Sequence, residues 1–388
     1  MVFPTLFQLA VKSVAQQIHN EKIPIDFNLD IKSSNAVVKE LLEMDPQNIE
    51  KLKTHKNQLS TVTELDLRKF KIDVEGILNL KNFKLTSLNF GDLYHLRTKY
   101  PDPTNSYGMD IVSLLERAVN TQEKMIHLGF SGEEDKRYMI GWEKKVSKLL
   151  PSLQSIKITF SRFCQHCQLS NLCDSFPNLR ILDISFATRL STLEGIKNLK
   201  HLQKLVMRYV RIEDRDGYKE LSELKNLRFL DLSGGIGPYR SISPIPVIRS
   251  LLQAEIRMEN LEFLDCSMTV VWKHELKEFL EHHPSLKTVV AISTKCDKSH
   301  IPTIDLLNYN SPDSIMKSLE YAITNDRSDL AEDCILFIAE KLNTNHNQLD
   351  ASEISGLLKA LGYVLRESKN NMTNYRAIRC FAESKFFE

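Results

Sequence analysis

The stretch LRILDI, residues 179–184, places leucine or isoleucine at its first, fourth and sixth positions. The same apolar-x-x-apolar-x-apolar spacing recurs in nine segments, which begin at Val62, Leu85, Met125, Leu153, Leu179, Leu202, Leu227, Leu261 and Leu286. Six of the eight steps between successive segments are 23–28 residues long, and the two longer steps hold insertions at about residues 92–120 and 234–256. A short pattern that returns at nearly constant intervals indicates one structural unit repeated along the chain.

This period is typical of leucine-rich repeats, in which each unit adds one short strand to a parallel sheet. A single repeat cannot bury its apolar residues alone, so neighbouring repeats must stack on one another. The sequence therefore predicts an α/β repeat solenoid, a leucine-rich-repeat horseshoe, over residues 55–300.

The positions between the apolar residues of each strand are expected to face solvent on the concave side, because strand side chains alternate. Asp183, Asp231 and Asp265 share one position of the repeat, each is followed two residues later by Ser, and Phe229 and Phe263 precede two of them. One interpretation is that the Asp and Ser side chains bind backbone groups of the turns. The other is that these five residues form an exposed acidic strip with aromatic anchors, which binds a protein substrate through a basic residue or an amino terminus.

Composition excludes several classes of protein. Lys and Arg total 51 against 50 Asp and Glu, so the formal net charge is +1, which disfavours a general nucleic-acid binder. The sequence holds no run of about 18 apolar residues, the length that a membrane span requires. The seven cysteines are odd in number and irregularly spaced, which favours reduced thiols and a location in the cytoplasm or the nucleus.

Both ends of the chain are predicted to be helical. Thr5 can cap a helix that carries Leu6, Leu9 and Val14, and residues 1–50 form a helical segment ahead of the repeats. After about residue 310 the apolar spacing becomes that of amphipathic helices, and Ser311 is a helix start. Residues 311–388 amount to about two helix pairs of armadillo type, which we expect to cap or dock on the last repeat.

Two adjacent motifs in the first segment carry a resemblance to a known family. TLFQLAVKSV, residues 5–14, resembles the box that binds Elongin C, in which a leucine is followed at fixed distances by a small residue and an aliphatic residue. Ala10 stands where that box usually has cysteine. IPIDFNLDI, residues 23–31, resembles the cullin-2 box. With leucine-rich repeats and armadillo-like helices following in this order, the chain resembles the Zyg-eleven family of substrate receptors of cullin-2 ubiquitin ligases.

The resemblance implies a non-catalytic adaptor that links a protein substrate to cullin-2 and Elongin B/C, which promotes ubiquitination of the substrate. It assigns Elongin C contacts to Leu6, Leu9, Ala10 and Val14, which share one helical face. It assigns cullin contacts to four residues, Ile23, Pro24, Phe27 and Ile31. Family members recognise substrates mainly through a longer armadillo-like region.

Two alternatives stay open at this stage. The first is a stand-alone leucine-rich-repeat scaffold for protein–protein interaction, in which residues 5–31 only cap the repeats. The second is a receptor that uses a Skp-type adaptor through an F-box.

Signals for a cofactor or for catalysis are weak. Cys164, Cys167 and Cys173 give one C-x2-C spacing without a matching second pair, so a zinc site is disfavoured. Residues 234–237 are glycine-rich but lack the Gly-Lys-Ser/Thr of a phosphate-binding loop. No enzyme signature is present, and we expect no cofactor and no metal.

Overall fold

The protein is described by a computed structural model, which covers residues 5–23, 29–45, 47–49, 52, 61–121, 123–131, 137–159, 168–188, 190–212, 214, 216–234, 246–344 and 349–384. These residues form two compact units. Unit 1 comprises residues 1–190 and 194–202, and unit 2 comprises residues 191–193 and 203–388.

Unit 1 opens with two helices that pack against each other, α1 (Leu6–His19) and α2 (Ile31–Met44). Asp30 caps α2, since its side chain accepts a hydrogen bond from the Ser33 backbone N–H. Asn35 in α2 joins the helices to the repeats, because its side chain bonds the backbone N–H and the hydroxyl of Thr63 at 2.9 and 3.0 Å, one residue before the first strand.

The sheet of unit 1 consists of five parallel strands that pair in the order β1, β2, β5, β7, β8. Their bounds are β1 Glu64–Asp66, β2 Ser87–Asp92, β5 His127–Ser131, β7 Ser155–Thr159 and β8 Ile181–Asp183. One helix lies between each strand and the next, namely α3 Val74–Leu80, α4 Ile111–Ala118, α5 Trp142–Leu149 and α6 Leu169–Ser175. This alternation of a short strand and a return segment is the predicted leucine-rich-repeat architecture.

The first long insertion forms a small sheet of its own within unit 1. It contains β3 (Pro101–Asp102), β4 (Asn105–Met109) and β6 (Arg137–Tyr138). Strand β4 pairs antiparallel with β3 and parallel with β6.

Unit 2 continues the same pattern with five parallel strands in chain order, β9 to β13. Their bounds are β9 Lys204–Val206, β10 Phe229–Asp231, β11 Phe263–Asp265, β12 Thr288–Val290 and β13 Asp305–Leu307. The return helices are α7 Val247–Gln253 and α8 Lys273–His282. The central apolar residues stand opposite one another, as Leu230 pairs with Leu205 and Leu264, so the inward side chains stack in register.

Four helices complete unit 2: α9 Pro312–Thr324, α10 Ser328–Thr344, α11 Ala351–Glu367 and α12 Asn371–Glu383. Ser311 caps α9, as the sequence predicts, by accepting a hydrogen bond from the Ser314 backbone N–H. The buried residues of these helices share one apolar core with Val290, Ile292, Leu307 and Tyr309. The predicted docking of the helical segment on the last repeat is therefore observed.

All nine segments of the repeat pattern contain a strand, and unit 2 has one strand more than the pattern predicts. In β13, Leu306 stands opposite Val289, so Thr303 and Asn308 occupy positions at which the pattern requires apolar residues. Asn308 is fully buried and its amide donates to the carbonyls of Cys296 and Ser299, both at 2.9 Å. Asn308 is polar and supplies hydrogen bonds to the turn. A search for apolar residues at these positions therefore does not detect this repeat.

Candidate protein-binding surfaces

Helix α1 is fixed at its start by a reciprocal cap. The Thr5 hydroxyl accepts a hydrogen bond from the Gln8 backbone N–H, and the Gln8 side chain accepts one from the Thr5 backbone N–H at 2.8 Å. This capping box satisfies two backbone donors that a helix start otherwise leaves unpaired. Leu6 therefore stands in the first turn of a defined helix.

The two faces of α1 differ in burial. Val11, Ala15 and Ile18 are buried, and α1 packs against α2. The outer face, which we define as Leu6, Leu9, Ala10 and Val14, points away from that contact. Leu6 is 84% exposed and Leu9 is 51% exposed, Ala10 is exposed, and Val14 is half-buried. The helix thus uses one apolar stripe for its own packing and leaves a second one accessible.

The four residues of the cullin-2 box are only partly described. Ile23 is half-buried just after α1, whereas Pro24 and Phe27 lie outside the described residues. Ile31 is the first residue of α2 and is 55% exposed. Beside it, the Lys32 ammonium group lies 4.8 Å from the centre of the Phe7 ring, which ties the start of α2 to the start of α1.

The three acidic residues of the repeats bind the turns that follow their strands. One carboxylate oxygen accepts the backbone N–H two residues later, from Ser185 to Asp183 at 3.0 Å, from Ser233 to Asp231 at 3.0 Å and from Ser267 to Asp265 at 2.9 Å. The residue after the serine is left-handed in two of these turns, since φ is 61° at Phe186 and 56° at Met268. A carboxylate that accepts the turn N–H stabilises this uncommon backbone. The turn-binding interpretation therefore describes all three residues.

The expected solvent exposure of these carboxylates is wrong. In unit 1, Asp183 is buried and its second oxygen pairs with Lys157 at 3.2 Å. In unit 2, Asp231 and Asp265 are 0% exposed. Tyr321 of α9 and Arg327, which lies between α9 and α10, contact their carboxylates. The alternation of strand side chains predicts that these carboxylates point outward from the strands, but it does not predict which residues cover them.

Arg327 is the centre of this contact and is itself only 3% exposed. Its guanidinium donates to Asp265 at 3.3 Å and to the Ser233 hydroxyl at 2.8 Å, and it lies 4.0 Å from Asp231. It also makes two hydrogen bonds of 2.9 Å to the Asp329 carboxylate. Paired hydrogen bonds between two charged groups are stronger than hydrogen bonds between neutral groups.

Asp231 and Asp265, which we call the acidic pair, also bind other donors. Arg208 donates to Asp231 at 2.6 Å, and the Tyr321 hydroxyl donates to Asp265 at 2.7 Å. Burial, and then the neighbouring Asp231, raise the pKa of Asp265 to about 6. Burial would also raise the pKa of Asp329, but the hydrogen bonds and charge of Arg327 hold it below its usual value.

Phe229 and Phe263 are half-buried beside this acidic pair and stack with ring centres 4.4 Å apart. The Lys204 ammonium lies 4.1 Å from the centre of the Phe229 ring, and Tyr321 packs against the other end at 5.5 Å. We call Lys204, Phe229, Phe263 and Tyr321 the aromatic row. The structure thus brings together four predicted substrate residues on β10 and β11, and places the fifth, Asp183, on β8 of unit 1.

The outward position of Lys204 on β9 follows from the strand alternation, whereas sequence reasoning missed Arg208, Tyr321 and Arg327, which also surround the predicted residues. Arg208 lies two residues after the end of β9, at the next outward position, and could have been found by continuing the alternation past the strand. Tyr321 and Arg327 belong to the helical segment, so the repeat pattern carries no signal for them.

The described residues include no cluster of three His, Cys, Asp or Glu side chains suited to a metal ion. Cys164 and Cys167 lie outside the described part of the chain, and Cys173 is buried in α6. None of the described helices has both the length and the apolar character to cross a membrane.

Comparisons with known proteins find a relative in sequence and a neighbour among solved structures. No family model matches the chain. The chain is 32% identical over 323 residues to Gastrulation-defective protein 3 of Caenorhabditis elegans, which is 81% of this chain and 44% of that protein. It thus spans less than half the length of this relative. A solved leucine-rich-repeat protein of Leptospira interrogans is 16% identical, with a TM-score of 0.29 over 62% of this chain and 57% of that chain. Because the nematode relative is a Zyg-eleven protein, the chain belongs to the Zyg-eleven family, as its sequence predicts.

Proposed function

We propose that this chain is a substrate-recognition subunit of a cullin-2–Elongin B/C ubiquitin ligase. The observation that carries the proposal is the exposure of the outer face of α1. Leu6, Leu9 and Ala10 are accessible, while the opposite stripe of the same helix is buried against α2. Helices that dock in a groove of a partner present apolar residues at this i, i+3, i+4 spacing.

The proposal assigns one partner to each of the two motifs, residues 5–14 and residues 23–31. Leu6, Leu9, Ala10 and Val14 would contact Elongin C, and Ile23, Pro24, Phe27 and Ile31 would contact cullin-2. The chain itself would bind and orient the substrate, with the ubiquitin transfer performed by other subunits. Such a complex would act in the cytoplasm or the nucleus.

For the substrate, the aromatic row is the surface best supported within unit 2. Its two phenylalanines are half-buried and stacked, and aromatic side chains beside charges are the usual anchors of protein interfaces. Asp231 and Asp265 would support this surface from behind, since their carboxylates already bind Arg208, Tyr321 and Arg327.

Co-purification with Elongin B/C tests the first contact. Leu6→Asp puts a charge on the outer face of α1 and is expected to lower Elongin B/C binding at least tenfold, because a buried unpaired charge is costly in a groove. Lys12→Asp is the matched control, since it places the same charge at an exposed position of α1 away from the outer face. A wild-type chain that fails to bind Elongin B/C at micromolar concentration removes the proposal, and binding of a Skp-type adaptor would support the F-box alternative instead.

Cullin binding is tested separately at the start of α2. Ile31→Asp is expected to weaken co-purification with cullin-2 while Elongin B/C binding is kept, because Ile31 is exposed and lies outside the outer face of α1. Pull-downs with Elongin B/C alone, and then with cullin-2 added as a separate component, measure both. Equal loss of the two partners would argue against separate contacts.

A further inference from the structure

The carboxylates that the sequence predicts to bind a basic substrate are used within unit 2. Asp231 and Asp265 are 0% exposed. Arg208, Arg327 and Tyr321 donate hydrogen bonds to their oxygens. An incoming ammonium or guanidinium group would have to displace these donors to reach either carboxylate. A preference for a basic residue or an amino terminus therefore has no accessible carboxylate on β10 or β11 to support it.

The two faces of the Phe229 ring are also used within unit 2. Strand β10 lies between β9 and β11, so Phe229 stands opposite Lys204 on one side and opposite Phe263 on the other. The Lys204 ammonium lies 4.1 Å from the centre of the Phe229 ring, and the Phe263 ring stacks on it with an angle of 4° between the planes. Because cations bind aromatic rings over their faces, a basic substrate would find this position on Phe229 occupied.

The accessible part of the Phe229 ring is its edge. The side chain is half-buried although Lys204 and Phe263 cover its faces, so only the rim of the ring is left to meet solvent. An aromatic ring carries partial negative charge on its faces and partial positive charge at its edge. An exposed edge therefore favours a carboxylate oxygen over an ammonium group.

Arg208 supplies a cation at one side of the aromatic row. It lies two residues after β9, and its side chain is 17% exposed. Its Nε donates to Asp231 at 2.6 Å. A guanidinium group has further N–H donors on its two terminal nitrogens, and those of Arg208 have no acceptor within the described ranges of the chain. A planar guanidinium group can bind a carboxylate through two parallel hydrogen bonds.

Two more cations lie at the other side of the aromatic row, just before the strands. Arg228 directly precedes β10 and is 66% exposed, and Lys287 directly precedes β12 and is 72% exposed. Glu262 precedes the strand between them and pairs with both, at 3.6 Å to Arg228 and at 3.0 Å to Lys287. One carboxylate shared by two cations leaves an excess of positive charge at this side.

Two other partly exposed carboxylates near the aromatic row are paired. Asp329 has 20% of its side chain exposed and accepts two hydrogen bonds of 2.9 Å from Arg327. Asp305, two strands beyond Phe263, pairs with Lys317 of α9 at 2.8 Å. Each of these carboxylates has its own cation, so the excess positive charge beside the row is kept.

We propose that the aromatic row binds an acidic peptide segment of the substrate. Carboxylates of this segment pair with Arg208 and Arg228 at the two sides of the row, and its apolar side chains pack on the ring edges of Phe229 and Phe263. The inference rests on the proposed function, because it takes the aromatic row as the substrate surface and names the chemistry of the ligand. Charge complementarity of this kind selects partners, since like charges brought together cost free energy.

Fluorescence anisotropy of the full chain with two labelled peptides of equal length tests the proposal. One peptide alternates aspartate with leucine, and the other alternates lysine with leucine. The dissociation constant of the aspartate peptide is expected to be at least about tenfold lower, because this peptide pairs with the arginines that repel the lysine peptide. Its binding should weaken as the salt concentration rises from about 0.05 M to about 0.3 M, since exposed ion pairs are screened.

Variants assign the binding to the aromatic row. Arg228→Gln removes an exposed cation and is expected to weaken binding of the aspartate peptide about twofold to fivefold, which is the value of an exposed ion pair. Arg208→Lys keeps the charge beside Asp231 but loses the planar group, so it should also weaken binding. Lys277→Gln is the matched control and should leave the affinity unchanged, because Lys277 is exposed on the return helix α8 and does not belong to a strand.

Equal affinity for the two peptides, or tighter binding of the lysine peptide, would overturn the proposal. An Arg228→Gln variant that binds the aspartate peptide as well as Lys277→Gln would overturn it too. Elongin B/C binding is measured on the same preparation, since the outer face of α1 does not include the aromatic row. A chain that binds Elongin B/C but neither peptide contradicts the acidic ligand alone, whereas a chain that binds the aspartate peptide but not Elongin B/C contradicts the ligase alone.

Discussion

At the scale of single residues, Arg327 is buried in unit 2 and forms ion pairs with Asp265 and Asp329. Arg327→Met removes the cation from Asp265 and Asp329 while keeping much of the side-chain volume. Removing one partner of a buried ion pair costs about 3–5 kcal/mol of unfolding free energy. Arg228→Met is the control, because Arg228 is exposed and pairs with Glu262 at 3.6 Å, a contact worth about 1 kcal/mol or less. Urea denaturation followed by circular dichroism measures both, and equal midpoints would show that the ion pairs of Arg327 add no stability.

Residue patterns predicted which side chains of the strands point outward, but not which of them meet solvent. The sequence shows the spacing of Asp231 and Asp265 and of the serines that follow them. It also allows the interpretation that these side chains bind the backbone of the turns. Tyr321 and Arg327 lie 56 and 62 positions from Asp265 along the chain. A partner at this separation is set by tertiary packing, for which a local pattern holds no information.

At the scale of elements, the two faces of α1 should differ in their contribution to stability. Ile18→Ala removes a buried side chain from the contact with α2 and is expected to cost about 2–5 kcal/mol. Leu9→Ala changes the outer face and should alter stability by no more than about 0.5 kcal/mol. Exchange protection of α1 and α2 peptides gives the comparison. A large loss in Leu9→Ala would mean that the outer face is used within the chain and is not available to a partner.

Elements with strong periodicity were predicted well, and those with polar substitutions were not. Nine strands and the four helices α9 to α12 follow from their apolar spacing. Strand β13 was missed because Asn308 replaces an apolar residue and satisfies the turn by hydrogen bonds. Helix α2 begins at Ile31 because Asp30 caps it, so a residue of the predicted cullin-2 box is helical.

At the scale of the whole molecule, residues 311–388 were predicted as a segment separate from the repeats of residues 55–300. The structure groups these helices with β9 to β13 in unit 2, because Val290, Ile292, Leu307 and Tyr309 belong to the same core as the helices. The sequence predicts that these helices dock on the last repeat, but it does not predict which residues of the repeats belong to their core.

A chain that ends at residue 310 tests this shared core. It uncovers Val290, Ile292, Leu307 and Tyr309, and the burial of four such side chains is worth about 6–12 kcal/mol. It also leaves Asp231 and Asp265 without Arg327, so the strands lose both their apolar cover and their buried cation. Peptides from β10 to β13 should then exchange their amide hydrogens far faster than in the full chain. If their protection stays within about threefold of the full chain, the helices are an independent domain, and the strands of unit 2 are stable without them.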